Sequence, residues 1–265
     1  MKEKHIICVC NQKGGVGKTT TAHELAYLFG KKYKTLAIDL DSSLTLSIYA
    51  DKNEIMGKEE VFDIHDLMCQ VKENKTKVDI QKAIYNVGEF DNIFGSKLLA
   101  RAPVEFGGFE NFSLLTEIFE LLDYDIIILD MHPDKSTLTQ MAYCAATDFI
   151  IPADSDRASA EGVSEMAIDL QRYQKRNMAN GKVLGILQTS CDMRSNVWKE
   201  ARKRLIAIGE YFGIPVFDTY IRMATDVLRC KEQCECMNEY MKRNNAAQDY
   251  RNLLKEINKI WKNKK

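Results

Sequence analysis

No stretch of this 265-residue chain approaches the roughly 18 apolar residues in a row that a membrane-spanning helix needs. A secretory leader is not expected either. Residues 1–11 run straight into Ile6-Ile7-Cys8-Val9-Cys10 and a glycine loop, with no small-residue cleavage site. Prolines number only four, and no Pro-, Gly- or Ser-rich linker, internal repeat or low-complexity tract interrupts the chain. With 45% hydrophobic residues it can bury one substantial core, so residues 1–265 are expected to form a single domain. The eight cysteines lack paired spacing, which argues against a disulfide scaffold and for free thiols in a reducing compartment. Four dispersed histidines offer no metal-ligand spacing and no Ser-His-Asp or Cys-His arrangement.

Net charge is also small, −1, but it is unevenly spread. Residues 1–180 carry 20 Lys/Arg against 28 Asp/Glu, and residues 181–265 carry 17 against 10. The C-terminal third is therefore either an anion-facing surface or a set of ordinary solvated helix faces.

What is present begins with phosphate chemistry. Residues 6–10 read as a buried strand, and residues 19–30 as a helix with Ala22, Leu25, Ala26 and Phe29 on one face. Between them lies Lys13-Gly14-Gly15-Val16-Gly17-Lys18-Thr19-Thr20. Glycines let backbone N–H groups converge on phosphate oxygens, and the following helix N-terminus adds its dipole. Lys18 supplies a point charge for the β- and γ-phosphates, and Thr19 a hydroxyl for Mg²⁺. The ordinary P-loop glycine five residues before Gly17 is replaced by Gln12, while an extra lysine stands at Lys13.

Two further strands end in carboxylates. Leu36-Ala37-Ile38-Asp39-Leu40-Asp41 closes on an Asp-x-Asp pair, at the strand end where open α/β sheets bind ligands. Tyr124-Asp125-Ile126-Ile127-Ile128-Leu129-Asp130 is a continuous apolar run, as a doubly covered parallel strand requires. Residues 148–152, 182–189 and 215–221 read as the remaining strands, while residues 51–95 are the least regular, with short helices at 60–69 and 78–87. Alternating apolar strands and amphipathic helices predict an α/β fold: one three-layer domain, a mostly parallel twisted sheet with helices on both faces.

The glycine loop resembles the deviant Walker A ATPases, the ParA/MinD family. From about residue 5 to residue 257 other motifs agree: Pro152 with Glu161-Gly162, Asp192-Met193-Arg194, and the strand ending Ile221-Arg222. The resemblance implies ATP and Mg²⁺ as ligands. Lys13 would act across a dimer interface on the partner's ATP. Asp39 would sit near Mg²⁺, Asp41 would orient the attacking water, and Asp130 would hold the metal through a water. Thr189, Arg222 and Met223 would flank adenine. Ser43 replaces the family's usual glutamine, and His132 its usual proline. His132 is read as a structural replacement rather than a catalytic imidazole.

Within that family the short, ParA-type partition ATPases are the nearest match. That likeness implies a slow ATP hydrolase that dimerises with ATP, binds DNA without reading sequence, and segregates plasmid, chromosome or mobile-element DNA. A ParB-like centromere-binding adaptor and a cytoplasmic, nucleoid-associated prokaryotic setting are implied as well. The glycine loop starts at Lys13, so the helix-turn-helix extension of longer relatives is not expected. Arg194, Lys199, Arg202 and Lys203 are the first candidates for DNA contact, with Arg222, Lys242 and Arg243 behind them. The alternative is a MinD-like membrane-positioned ATPase. Residues 250–265 place Leu253, Leu254, Ile257, Ile260 and Trp261 at helical spacing among lysines, which suits either a membrane surface or core packing. Core packing is favoured, because no linker detaches the tail. A metal-carrier reading would need Cys230, Cys234 and Cys236 together, and on a helix the three do not share a face.

Overall fold

The computed structural model describes residues 4–57, 61–73 and 78–263. In chain order, β1 (His5–Val9), α1 (Lys18–Gly30), β2 (Thr35–Leu40) and α2 (Thr45–Ala50) are followed by α3 (Ile64–Glu73). Next come β3 (Tyr85–Asn86), β4 (Asp91–Ile93), α4 (Ala102–Glu105), α5 (Leu114–Leu121), β5 (Ile126–Met131) and α6 (Thr137–Ala145). The last third contains β6 (Asp148–Ala153), α7 (Arg157–Lys175), β7 (Lys182–Gln188), α8 (Val197–Phe212), α9 (Val227–Glu232), α10 (Met237–Tyr240) and α11 (Asn245–Lys262). Among the described residues, seven strands form one sheet in the order β3-β4-β2-β5-β1-β6-β7, with only the β3–β4 pair antiparallel.

Strands β2, β5 and β6 are buried at every position, the consequence of a parallel sheet covered on both faces. One apolar layer joins the sheet to α3, α5, α6 and α7 through Leu67, Leu115, Leu138 and Val163. The opposite layer joins it to α1 and α11 through Leu25, Phe29, Tyr250, Leu253 and Ile257. Helix α1 is therefore buried almost all round, from Thr21 to Phe29. The three-layer expectation holds.

Helix α11 spends its apolar face inside the fold. The Tyr250 hydroxyl lies 3.1 Å from that of Thr21, and the Trp261 ring stacks on His5 with centroids 3.8 Å apart. The tail is thus a packed helix; its last two lysines, Lys264 and Lys265, lie outside the described residues.

Three local expectations are corrected. Residues 215–221 form no continuous strand: Val216 makes an isolated bridge to Ile186, and Arg222, just beyond the segment, bridges to Cys191. Of the helix read at 78–87, only a 3-10 turn at Ile80–Ala83 exists, and the chain then turns into β3. The helix read at 60–69 starts at Ile64, and residue 60 lies outside the described residues.

Candidate nucleotide site

The glycine loop links the end of β1 to the start of α1, at the C-terminal edge of the sheet's centre. Gly15 (φ 78°) and Gly17 (φ 86°) take left-handed backbone that side chains resist, and this curls the loop. A Cβ on Gly14 or Gly15 would meet nothing within 4 Å, so the loop's outer side is open. Gly17 caps α1 without a side-chain acceptor, leaving the first helical N–H groups of Lys18, Thr19 and Thr20 for an anion. Val16 is fully buried and anchors the loop from beneath.

The loop's rear wall is specified by packing. Asn11 donates to the carbonyls of Pro152 (2.7 Å) and Ser159 (3.4 Å) and accepts from the Lys13 N–H (3.0 Å). A Cβ at Gly162 would stand 2.2 Å from Asn11 Oδ1, so only glycine lets α7 approach there. This accounts physically for the Glu161-Gly162 motif. Thr189 donates to the Val16 carbonyl at 2.8 Å and is buried, which makes its hydroxyl a brace for the loop rather than a free contact for adenine.

The buried Lys18 ammonium donates to the Lys13 carbonyl at 3.1 Å. Burial lowers its pKa, while the carboxylates of Asp130 and Asp41 oppose the shift. Asp39 and Asp130 lie side by side on neighbouring strands β2 and β5. Asp39 Oδ1 accepts from the Asp41 N–H (3.0 Å), and Oδ2 from the Ser47 N–H (2.8 Å) and hydroxyl (2.7 Å). Burial raises its pKa to about 6, with the Ser47 hydroxyl the largest opposing influence. Asp39 therefore ties down the loop carrying Asp41, a role the sequence reading, which put it near the metal, did not include. Asp41 itself accepts from the Ser43 N–H at 2.7 Å.

Asp130 is different. Both carboxylate oxygens are buried, and neither meets a donor at hydrogen-bonding geometry. Burial, and then the charge of Asp39, push its pKa well up; Thr19 and Lys18 only partly counter this. A buried carboxylate without a donor is a costly arrangement that a divalent cation would relieve. Asp130, with Thr19 at the helix start, thus fits Mg²⁺, and the open glycine loop fits the phosphates.

The segment expected to flank a base forms a cavity of about 360 Å³ lined by residues that include Cys191, Met193, Arg222, Met223, Asp226 and Asn244. Met223 lines it while half exposed. Arg222 is committed elsewhere: its guanidinium grips Asp249 of α11 (2.6 and 2.8 Å) and the Asn245 carbonyl (3.1 Å). It locks α11 to the cavity wall rather than packing freely on a base. Asp249 had no local signal, because its partner is 27 residues away.

Of the basic candidates, Arg202 turns inward to the Phe217 carbonyl (2.7 Å) and is half-buried. This corrects its assignment as a surface contact. Arg194 is exposed but chelated by Asp192, whose pKa it lowers to about 2. Lys199 and Lys203 are exposed on α8, Lys203 pairing with Glu200 at 3.0 Å. Lys13 lies at the loop's rim, 3.2 Å from Asp156. His132 stands 3.2 Å from Asp134 at the surface. All eight cysteines are free, and Cys230 and Cys236 are buried while Cys234 is partly exposed.

Comparison with known proteins agrees with this geometry. A family model described as an AAA domain matches residues 4–183. Soj of Bacillus subtilis, a sporulation initiation inhibitor protein, is 28% identical over 261 residues, covering 95% of this chain and 97% of its own. The chromosome-partitioning ATPase Soj of Thermus thermophilus is 27% identical over 252 residues, covering 95% and 94%. Among solved structures, an ATP complex of a single-residue variant of Cyanothece McdA superposes with a TM-score of 0.84 at 17% identity, covering 97% of this chain and 98% of that one.

Proposed function

The chain belongs to the ParA/Soj-type family of partition ATPases, and on that premise we propose that it is a slow ATP-driven switch. In this reading ATP brings two copies together, and the dimer holds DNA without reading sequence so as to position or segregate a DNA cargo. The observation that carries the reading is the open glycine cradle set against the buried, donorless carboxylate of Asp130.

Magnesium-bound ATP would supply the phosphoryl group and the cation. Thr19 and Asp130 would hold the metal, and Lys18, Gly14, Gly15, Gly17 and the first N–H groups of α1 would hold the phosphates. Lys18 is buried at the phosphate end, where a positive charge acts with little water to screen it. Asp41 is held by Ser43 through one oxygen, and the other would orient a water molecule for attack. Asp39 keeps that loop in register through Ser47, whose hydroxyl in turn accepts from the Gly95 N–H at 2.8 Å. Lys13, at the rim, would add positive charge to the partner's γ-phosphate, where phosphoryl transfer benefits from it.

DNA binding follows from doubling a weak surface. Lys199, Lys203, Lys242 and Arg243 are exposed, and each patch alone neutralises few phosphates. A rigid dimer presents two patches to one duplex. Membrane anchoring through α11 gains no support, because its apolar residues are used in the core.

The test is light scattering with ATP, ADP and a nonhydrolysable analogue, beside gel shifts on unrelated DNA sequences and liposome sedimentation. The wild type should dimerise and bind DNA only with ATP or the analogue. Lys13→Ala should bind ATP yet remain monomeric. Liposome binding without DNA binding would refute the partition reading.

A further inference from the structure

Residues 226–244 leave the cavity read as the base site and return to it. Asp226 and Asn244, at the two ends, both line that cavity, and Asn244 Nδ2 donates to Asp226 Oδ2 at 3.1 Å. Asn244 also caps α11, accepting the Ala246 N–H at 2.8 Å. Between these ends the segment runs past α1. Glu24 of α1 accepts from the N–H groups of Met237 and Asn238 and from the Asn238 side chain (2.8 Å), which fixes the start of α10.

The middle of the segment then grips α2. The Lys52 ammonium, just past the end of that helix, donates to Glu235 (2.5 Å) and Glu239 (3.1 Å). Cys234 Sγ donates to the Ile48 carbonyl (3.3 Å), and Lys231 lies over the Tyr49 ring, 4.5 Å from its centre. The Glu235 contact is the first cause of a raised Lys52 pKa. The opposite end of α2 holds the loop that carries Asp41. The Leu44 N–H donates to the Asp41 carbonyl (3.0 Å), and the Ser47 N–H and hydroxyl hold Asp39. A helix of six residues has little stability of its own, so what grips its two ends decides where it sits.

We propose that Lys52 is a positioning residue through which a base seated in the cavity steadies the Asp41 loop. The base would fix both ends of residues 226–244, and the Lys52 clamp passes that restraint to α2. The proposal rests on the reading of the cavity as the base site and of Asp41 as the residue that orients the attacking water. Such coupling is reciprocal, so loosening the clamp removes what the base contributes to the loop.

Amide hydrogen exchange reads the loop directly. In nucleotide-free protein, Lys52→Met should speed exchange at Leu44 and Ser47 about 2- to 5-fold, the scale of a partly exposed ion pair, and leave the β5 amides unchanged. In wild type, saturating ADP should slow the same two amides about 2- to 5-fold more than saturating ribose 5′-diphosphate does. That difference should vanish in Lys52→Met and in Glu235→Gln/Glu239→Gln, and persist in Lys52→Arg. A clamp that only stabilised the fold would alter exchange equally with both ligands. A wild type that binds no ADP refutes the ATPase reading, whereas the nucleotide-free arm judges the clamp by itself. Unchanged exchange at Leu44 and Ser47 in Lys52→Met overturns the proposal. So does a wild type slowed equally by ADP and ribose 5′-diphosphate, or a base effect of the same size in Lys52→Met.

Discussion

Replacing Asp130 with asparagine should make the unliganded protein more stable while removing its response to magnesium. The carboxylate is fully buried, has no donor at good hydrogen-bonding geometry beyond the nearby Thr19 hydroxyl, and sits beside a second carboxylate. Its ordinary pKa is 3.8, and in the fold it is driven well above that value. Between those two values the folded state binds a proton that the unfolded state has released, so wild-type stability falls as pH rises through that range. The contribution at pH 7 cannot exceed about 4 kcal/mol, the free energy of protonating an ordinary aspartate there. Asparagine is close to isosteric and carries no charge, and Asp39 lies beside it on β2. We expect a gain of about 1–4 kcal/mol at pH 7, or several degrees in Tm for a domain of this size. The advantage should widen as pH rises above the ordinary carboxylate range toward the raised folded-state pKa. Scanning calorimetry across that range, with and without Mg-ATP, provides the measurement. At a hundredfold excess over Kd, ligand should stabilise wild type by about 2.7 kcal/mol, and magnesium should add little for the variant. If Asp130→Asn is less stable than wild type without ligand, or keeps a full magnesium response, the buried carboxylate is not a metal site.

Lys18→Ala should weaken ATP binding by about 1.5–3 kcal/mol or more, read by nucleotide titration, since one charge-assisted contact is lost at a charged phosphate. Both Asp41→Ala and Asp41→Asn should bind ATP and persist as dimers, with turnover lower by about 100-fold or more. Asparagine can still accept the Ser43 N–H, so normal turnover in that variant alone would reduce Asp41 to a turn residue. The double variant Lys199→Glu/Lys203→Glu should lose affinity equally on all DNA sequences and flatten the salt dependence by about 0.9 in log–log slope per lost phosphate contact. Gel shifts at two salt concentrations check this, and unchanged binding would move the DNA surface elsewhere.

The features that depend on neighbours along the chain were legible without coordinates. Residues 13–20 specify a phosphate loop by themselves, because the glycines, the lysine and the helix start act within one turn. The apolar runs of β1, β2, β5, β6 and β7 likewise show a doubly covered sheet, since each is buried on both faces. What the sequence could not show were pairings set by tertiary packing. The 215–221 segment has the composition of a strand but makes only one bridge, at Val216, because strand pairing depends on the partner edge as well as on propensity. The edge strand β3 and its neighbour β4 are too short to leave a period. Arg202 and Arg222 look like surface cations, yet carbonyls and a carboxylate brought from elsewhere in the fold claim both. Glu24 gave no signal, although α1 buries it against the start of α10 and raises its pKa to about 7. Asp130 could be named from its strand. Its lack of a well-aligned donor is a property of the space around it, which only the folded packing of β2, β5 and α1 creates.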